Sequence, residues 1–434
     1  MRSYLRFLVA RYLVASLVLC SGLFGGCAAP RADDSPRTVV IWISVDGLRP
    51  DYVEKSNAPF LKKLMREGAY STQVVPVFPS LTFPSHVSMA TGVTTAQHGI
   101  VSNEFLDTTD GVTYKFPDDS RLLQSEPIWL TASRQGIRTA LFDFPLSYDQ
   151  KGDVRTDYFA LKYDPKLKDA QRLDRLVEAW RRDDRQPPLQ LLMGYNAGAD
   201  GAGHKPGPLS RQVLEVTLEV DANLARFSEQ AVDLFRKKAR PADQFYLVVS
   251  SDHGMAQVHT LVNFQKLLDK PLPPEAVALA SANIAQIYLH RVAPQQRAQI
   301  VDDVVASLKK HAFLSVYRKA ELPHSWGFAH PTRTGDVVAT LRPGFCFDHK
   351  LQTTTAPSAA VGGVAGMHGY DPADCPDMLA FLAIWRPGVP IGGVDLGRVD
   401  SLRLAPTICR LLGIQAAPKA RGEPLPIAGT TGAK

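Results

Sequence analysis

The sequence predicts an α/β fold built on a central, mostly parallel sheet with helices on both faces and a small α+β insertion. Three observations lead there. Several runs of β-branched and large apolar residues are continuous rather than alternating, the pattern of strands buried on both faces. These runs alternate with stretches of helical spacing, which implies right-handed crossovers between parallel strands. Three of the runs end in turns that carry an acidic residue beside glycine, where open α/β sheets gather their ligands. The composition agrees, since 45% of the 434 residues are hydrophobic and 21% charged, enough for a large core.

The chain opens with Arg2, Arg6 and Arg11 ahead of an apolar stretch over residues 12–24 that ends in small residues. This is the layout of a secretory signal, and the run is short for a membrane span. Gly25-Gly26-Cys27 resembles the bacterial lipobox, in which the cysteine is lipidated and becomes the mature N-terminus. Residues 1–26 are therefore expected to be a signal and 27–38 a tether. With Ala28 after the cysteine, the expected destination is the outer membrane, facing the periplasm; without lipidation the product would be soluble there. Losing three arginines removes half of the formal charge of +6. No polybasic run remains, so specific nucleic-acid binding is not expected. The absence of a CxxC pair argues against a cysteine metal site. Cys346 and Cys375 are candidates for pairing in an oxidising compartment, which the sequence leaves open, and Cys409 lies in a core helix.

The first buried strand, residues 39–45, stops at Asp46-Gly47. Residues 58–68 have helical spacing closed by glycine, and 71–78 lead as a strand into Phe78-Pro-Ser-Leu-Thr82-Phe-Pro84. Thr82 lies between two prolines and before an apolar, helix-compatible run, so it sits where a loop enters a helix. By itself such a threonine is an N-cap. A hydroxyl there is also well placed to attack phosphorus, because the free N–H groups of a helix N-terminus favour a phosphoryl group. A helix at 127–134, a stop at Gly136 and a strand at 138–144 follow. Next come a charged helix at 166–182, a strand at 189–193, a long amphipathic helix at 211–238 and a strand at 244–250. Between about 281 and 347 the order changes to strand, helix, strand, strand, the α+β insertion. Residues 353–366, rich in Thr, Ala and Gly, are expected to be mobile or a lid. A strand at 378–385 and a helix at 401–412 complete a catalytic domain of residues 39–417, and 418–434 reads as a surface tail.

The acidic strand ends are Asp46, Asp200 in a glycine-rich turn with His204, and Asp252 beside His253. Gly366-Met-His368-Gly369 adds a histidine beside glycines. Clustered Asp and His without cysteine suit zinc, and two such clusters suit two adjacent divalent ions. A lone Asp-Gly is ordinarily a turn; joint occurrence carries the weight. The remaining histidines, His86 among them, lack the strand-end acidic context and are assigned no metal.

Together, the Thr82 stretch, Val45-Asp46-Gly47, Asp200-x-x-Gly-His204, Ser251-Asp252-His253-Gly254 and His368-Gly369 resemble the nucleotide pyrophosphatase/phosphodiesterase branch of the alkaline phosphatase superfamily. The resemblance runs from about residue 39 to 412 and implies an alkaline-phosphatase-like fold. It implies that Asp200, His204 and His368 hold one Zn2+ and that Asp46, Asp252 and His253 hold a second, to which Thr82 coordinates as nucleophile. Asn103 matches the family asparagine that helps bind a phosphoryl oxygen. Phe83 and Tyr195 match aromatics that sandwich a nucleotide base. One departure is Ala199, where the family commonly has proline before the aspartate.

The chemistry expected is hydrolysis of a small phosphodiester or nucleotide pyrophosphate through a covalent phospho-threonine. The alternatives are a phosphomonoesterase or phosphonate hydrolase on the same scaffold, and an inactive zinc- or ligand-binding envelope protein. A sulfatase is disfavoured, because the Cys/Ser-x-Pro-x-Arg setting of formylglycine is absent.

Overall fold

Residues 35–427 are described by a computed structural model. The expected signal, the lipobox and most of the tether, as well as the last residues of the tail, lie outside them.

The strand Thr38–Val45 is the axis of the sheet, and alternate residues explain why its sequence is apolar throughout. Ile41, Ile43 and Val45 enter one core, shared with the helices Pro59–Glu67, Asp169–Arg182 and Arg211–Lys238. Val40 and Trp42 enter the other, shared with the helices Thr82–Thr91, Ile128–Arg134 and Leu404–Leu412. Successive side chains of a strand point to opposite faces, so helices on both faces demand an unbroken apolar run.

Parallel neighbours flank this strand, Leu189–Asn196 on one side and Gln244–Ser250 on the other. Arg138–Leu141 and Tyr158–Phe159 extend the first side, also in parallel. The opposite side turns antiparallel. Ala380–Trp385 pairs with Gln244–Ser250, and Ala69–Val75 pairs with it in turn. A parallel centre with an antiparallel flank results, as expected from a mostly parallel sheet.

Three expectations change. The insertion starts one strand earlier, because Val277–Ser281 pairs antiparallel with Ile284–Tyr288. Val337–Leu341 and Leu314–Arg318 complete this four-stranded sheet, covered by the helix Pro294–Leu308. Val277–Ser281 is a half-exposed edge with small side chains, which left only a weak periodic signal. Residues 353–366 are held by pairing rather than loose. Thr355–Pro357 pairs with Thr260–Val262, Gly366–Met367 pairs with Ala256–Gln257, and Lys205 Nζ donates to the Gly362 carbonyl at 2.7 Å. Backbone bonds do this work, and they leave no trace in side-chain pattern. Part of the tail is also anchored. Leu425 and Ile427 are buried against the Leu404–Leu412 helix, and the Leu425 N–H donates to Thr407 Oγ1 at 2.9 Å.

Cys346, Cys375 and Cys409 are buried free thiols, and the first two lie in separate apolar clusters. Among the described residues no helix is long and apolar enough to cross a membrane.

Candidate metal centre and nucleophile

The three central parallel strands end side by side, so the residues after them converge although the chain separates them widely. The Asp46 N–H continues the ladder to the Asn196 carbonyl at 2.8 Å. Gly47 follows at φ +64°, and a Cβ there would lie 2.9 Å from the Asp200 Cα. Glycine thus provides both the left-handed turn and the close approach of the two acidic segments. Its N–H donates to Asp252 Oδ1 at 3.1 Å, which fixes the third carboxylate to the first turn.

Asp200 and His204 lie on a short helix, Gly198–His204, where the sequence suggested a turn. Glycines disfavour a helix by propensity alone. Here they serve packing: a Cβ on Gly198 would crowd Asp169 and Val220, and one on Gly203 would crowd Met255. The spacing of four places both functional groups on one helical face.

Two trios of ligand-type atoms result, Asp200–His204–His368 and Asp46–Asp252–His253. Asp200 Oδ1 lies 3.3 Å from His204 Nε2 and 3.4 Å from His368 Nε2. His253 Nε2 lies 3.1 Å from Asp252 Oδ2 and 3.4 Å from Asp46 Oδ1. The trios adjoin, with the His253 and His368 rings stacked at 3.6 Å.

The donor set fits divalent metal ions on three counts. One oxygen of each carboxylate, Asp46 Oδ1, Asp200 Oδ1 and Asp252 Oδ2, is buried without a hydrogen-bond partner, although such groups are costly to leave unpaired. Each histidine directs Nδ1 at a backbone carbonyl, His204 at Gly366, His253 at Gly254 and His368 at Ser80, at 2.9, 2.9 and 3.1 Å. A carbonyl only accepts, so Nδ1 carries the proton and Nε2 keeps its lone pair toward the trio. Finally, burial and the neighbouring Asp252 and Asp200 carboxylates push Asp46 well above the ordinary range. Full ionisation of all three calls for cations. Burial, reinforced by His253, lowers His368 to about 3, leaving it neutral at physiological pH.

The trios differ in access. Asp252 and His253 side chains are fully buried and Asp46 nearly so, whereas Asp200 and His204 are 22% and 25% exposed. Water therefore reaches the Asp200 side.

Thr82 is the first residue of its helix, and the cap position belongs to Leu81, whose side chain cannot bond the backbone. The Thr82 hydroxyl is therefore not spent on capping. Its Oγ1 lies 3.3 Å from His253 Nε2, while Ser80, two residues earlier, accepts from His368. This loop stands where the two trios meet. Asn103 Oδ1 accepts the Phe83 N–H at 2.9 Å, which fixes the amide beside Thr82.

The aromatic residues fall differently from expectation. Phe83 is half-buried beside Thr82, with Phe116 at 5.5 Å edge-on. Tyr195 is 8% exposed, and its hydroxyl donates to Asp46 Oδ2 at 2.5 Å. Its ring packs against His86 and Tyr163. Because the strand continues through Asn196, Tyr195 is a buried brace for Asp46 rather than an open stacking face.

Sequence reasoning missed three neighbours. Phe116, 51% exposed at φ +44°, is delivered by the hairpin Glu104–Asp107/Val112–Lys115. Tyr163 is half-buried beneath the Arg172 guanidinium. Neither had a usable local signal. His86 did, since its spacing of four from Thr82 puts it on the same helical face.

Comparison with known proteins bears on the family and the fold. The family model for type I phosphodiesterase/nucleotide pyrophosphatase matches residues 40–371. Bovine bis(5′-adenosyl)-triphosphatase ENPP4 is 25% identical over 414 residues, covering 93% of this chain and 84% of the relative. Human ectonucleotide pyrophosphatase/phosphodiesterase family member 7 is 26% identical over 417 residues, covering 93% and 86%. Among solved structures, murine ectonucleotide pyrophosphatase/phosphodiesterase 5, in an inactive threonine-to-alanine form complexed with AMP, superposes with a TM-score of 0.75 at 25% identity. That match covers 88% of this chain and 96% of the murine one.

Proposed function

Since the chain belongs to the type I phosphodiesterase/nucleotide pyrophosphatase family, a family of hydrolases, we propose that it cleaves nucleotide-like phosphodiesters or pyrophosphates with two Zn2+ ions and Thr82 as nucleophile. One observation carries this reading: the Thr82 hydroxyl, free of any capping role, stands at the junction of the two Asp/His trios.

Asp200, His204 and His368 would hold one ion, and Asp46, Asp252 and His253 the other. Divalent ions bound there would lower the pKa of a hydroxyl beside them and offset the negative charge that develops in an in-line displacement. Thr82 Oγ1 attacks phosphorus, the P–O bond to the leaving group breaks, and a phospho-threonine forms. The Asn103 side-chain amide, anchored through its Oδ1, presents Nδ2 to a phosphoryl oxygen at the helix N-terminus. Water then attacks phosphorus from the more exposed Asp200–His204 side, the Thr82 Oγ1–P bond breaks, a phosphate monoester leaves and Oγ1 takes back a proton. Phe83 and Phe116 offer an aromatic wall for the nucleoside, and the AMP bound by the murine relative supports a nucleotide ligand.

This reading favours a diester over a dianionic monoester; Arg49, three residues after Asp46, is engaged by Asp51, Asp377 and the Met255 carbonyl. Metal analysis with paired assays on a bis-aryl phosphate diester and the mono-aryl ester tests the reading. Two zinc equivalents and faster diester turnover are expected. Faster monoester turnover, or no metal dependence, would overturn it.

A further inference from the structure

His86 is fully buried and belongs to neither trio, yet its ring touches both the nucleophile's residue and a metal-type carboxylate. Nδ1 lies 2.8 Å from the Thr82 carbonyl and 3.2 Å from Asp252 Oδ2, the oxygen that has no hydrogen-bond partner. Nε2 lies 2.9 Å from Ser44 Oγ, on the central strand. The partners place one proton. The Thr82 carbonyl can only accept, so Nδ1 carries a proton, while Nε2 is paired with the Ser44 hydroxyl. Nδ1–H then points between the Thr82 carbonyl and Asp252.

Asp252 is thereby flanked from two directions, with the Gly47 N–H bonded to Oδ1 and the His86 Nδ1 in electrostatic contact with Oδ2. The ring itself is wedged edge-on against Phe144 and Tyr195 at 5.0 and 5.5 Å, and Tyr195 in turn holds Asp46. We propose that His86 is a positioning residue, which fixes the orientation of Asp252 in the sealed trio and sets it in register with the helical turn that presents Thr82. The proposal rests on the assignment of that trio as a metal site. Partners of ligating groups typically change metal affinity or activity by about 10–100-fold when removed.

The test uses the mature chain with His86→Phe, which keeps the ring volume, and His86→Asn, whose amide nitrogen can replace Nδ1. His98→Asn is the control. His98 is equally buried and hydrogen-bonds Ser88 and the Ile100 N–H, away from the trios. Zn2+ titration of chelator-stripped protein is read alongside kcat and KM on a nucleotide diester and Tm. For His86→Phe, one of two zinc affinities should fall about 10–100-fold and kcat by a similar factor, with KM nearly unchanged. His86→Asn should restore most of both, and His98→Asn should lower only Tm. The proposal is overturned if His86→Phe binds both ions normally. It is equally overturned if the Phe and Asn variants lose function alike and only in proportion to lost stability, as an ordinary packing role would require. Should no variant or wild type cleave diesters, the zinc titration still decides the point independently of the proposed reaction.

Discussion

At Thr82, the proposed role of nucleophile and the ordinary role of a helix cap have different consequences. Removing a cap costs about 0.5–2 kcal/mol of stability and no chemistry, whereas removing a nucleophile abolishes turnover. Thr82→Ala should lower diester turnover at least about 1,000-fold while two metal equivalents remain bound and Tm stays near wild type. Comparable turnover in the variant would return Thr82 to a structural role. The proposed role of Phe83 and Phe116 lies in binding instead. Base stacking on an aromatic contributes roughly 1–3 kcal/mol, so Phe116→Ala should raise KM for a nucleoside-bearing diester several-fold or more. The same variant should leave KM for a small alkyl diester alone, a comparison that steady-state kinetics reads directly. Thr82 and the six Asp/His positions were recognisable from sequence because their residue types and spacing are unusual together. Phe116 and Tyr163 were not, since an aromatic residue in a loop is uninformative until its neighbours are known.

At the scale of elements, the hairpin that carries Phe116 is joined to the insertion by a buried ion pair. Arg333 Nε donates to Asp107 Oδ2 at 2.7 Å, and Arg333 Nη1 also donates to the Gly99 and Leu122 carbonyls. Burial alone would raise Asp107, but the Thr109 N–H and the Arg333 guanidinium more than offset it, to about 2. The folded value is depressed below the usual 3.8, so the contribution is complete above that pH and disappears as pH falls toward 2. Asp107→Asn should remove this part of the acid dependence, visible as a flatter Tm-versus-pH curve between about pH 4 and 2. At neutral pH it should also lower Tm, because the buried Arg333 guanidinium would keep only neutral acceptors, among them the Gly99 and Leu122 carbonyls. Elements with strong periodicity, such as the helix Arg211–Lys238 and the strand Gln244–Ser250, matched their sequence-derived bounds. The weakly patterned ones did not. Gly198–His204 became a helix through close packing, and residues 353–366 were ordered by backbone pairing.

For the whole molecule, the proposed binding of ions to Asp46, Asp200 and Asp252 would link activity to stability. Anything that binds only the folded state stabilises it by RT ln(1 + [L]/Kd), about 4 kcal/mol at 1,000-fold saturation. Chelation should therefore abolish turnover and lower Tm together, and Zn2+ should restore both; unchanged Tm would argue against occupied trios. The N-terminal reading makes a separate proposal, that the full chain is exported and lipidated on Cys27. Expressed in a bacterial host that processes lipoproteins, it should partition with membranes, and Cys27→Ser should release it into the soluble fraction.

The sequence alone determined the layered α/β architecture, because helices on both faces of a parallel sheet force continuous apolar strands. It also singled out the six Asp/His residues and the threonine that the fold brings together, through residue types that few other roles combine in that order. Only the tertiary structure decided what each group spends its hydrogen bonds on. That is why Tyr195 proved to brace Asp46, why Leu81 rather than Thr82 occupies the cap position, and why His86 came to lie between Thr82 and Asp252. Hydrogen-bond partners from distant segments are set by how strands and helices pack, and no local pattern records them.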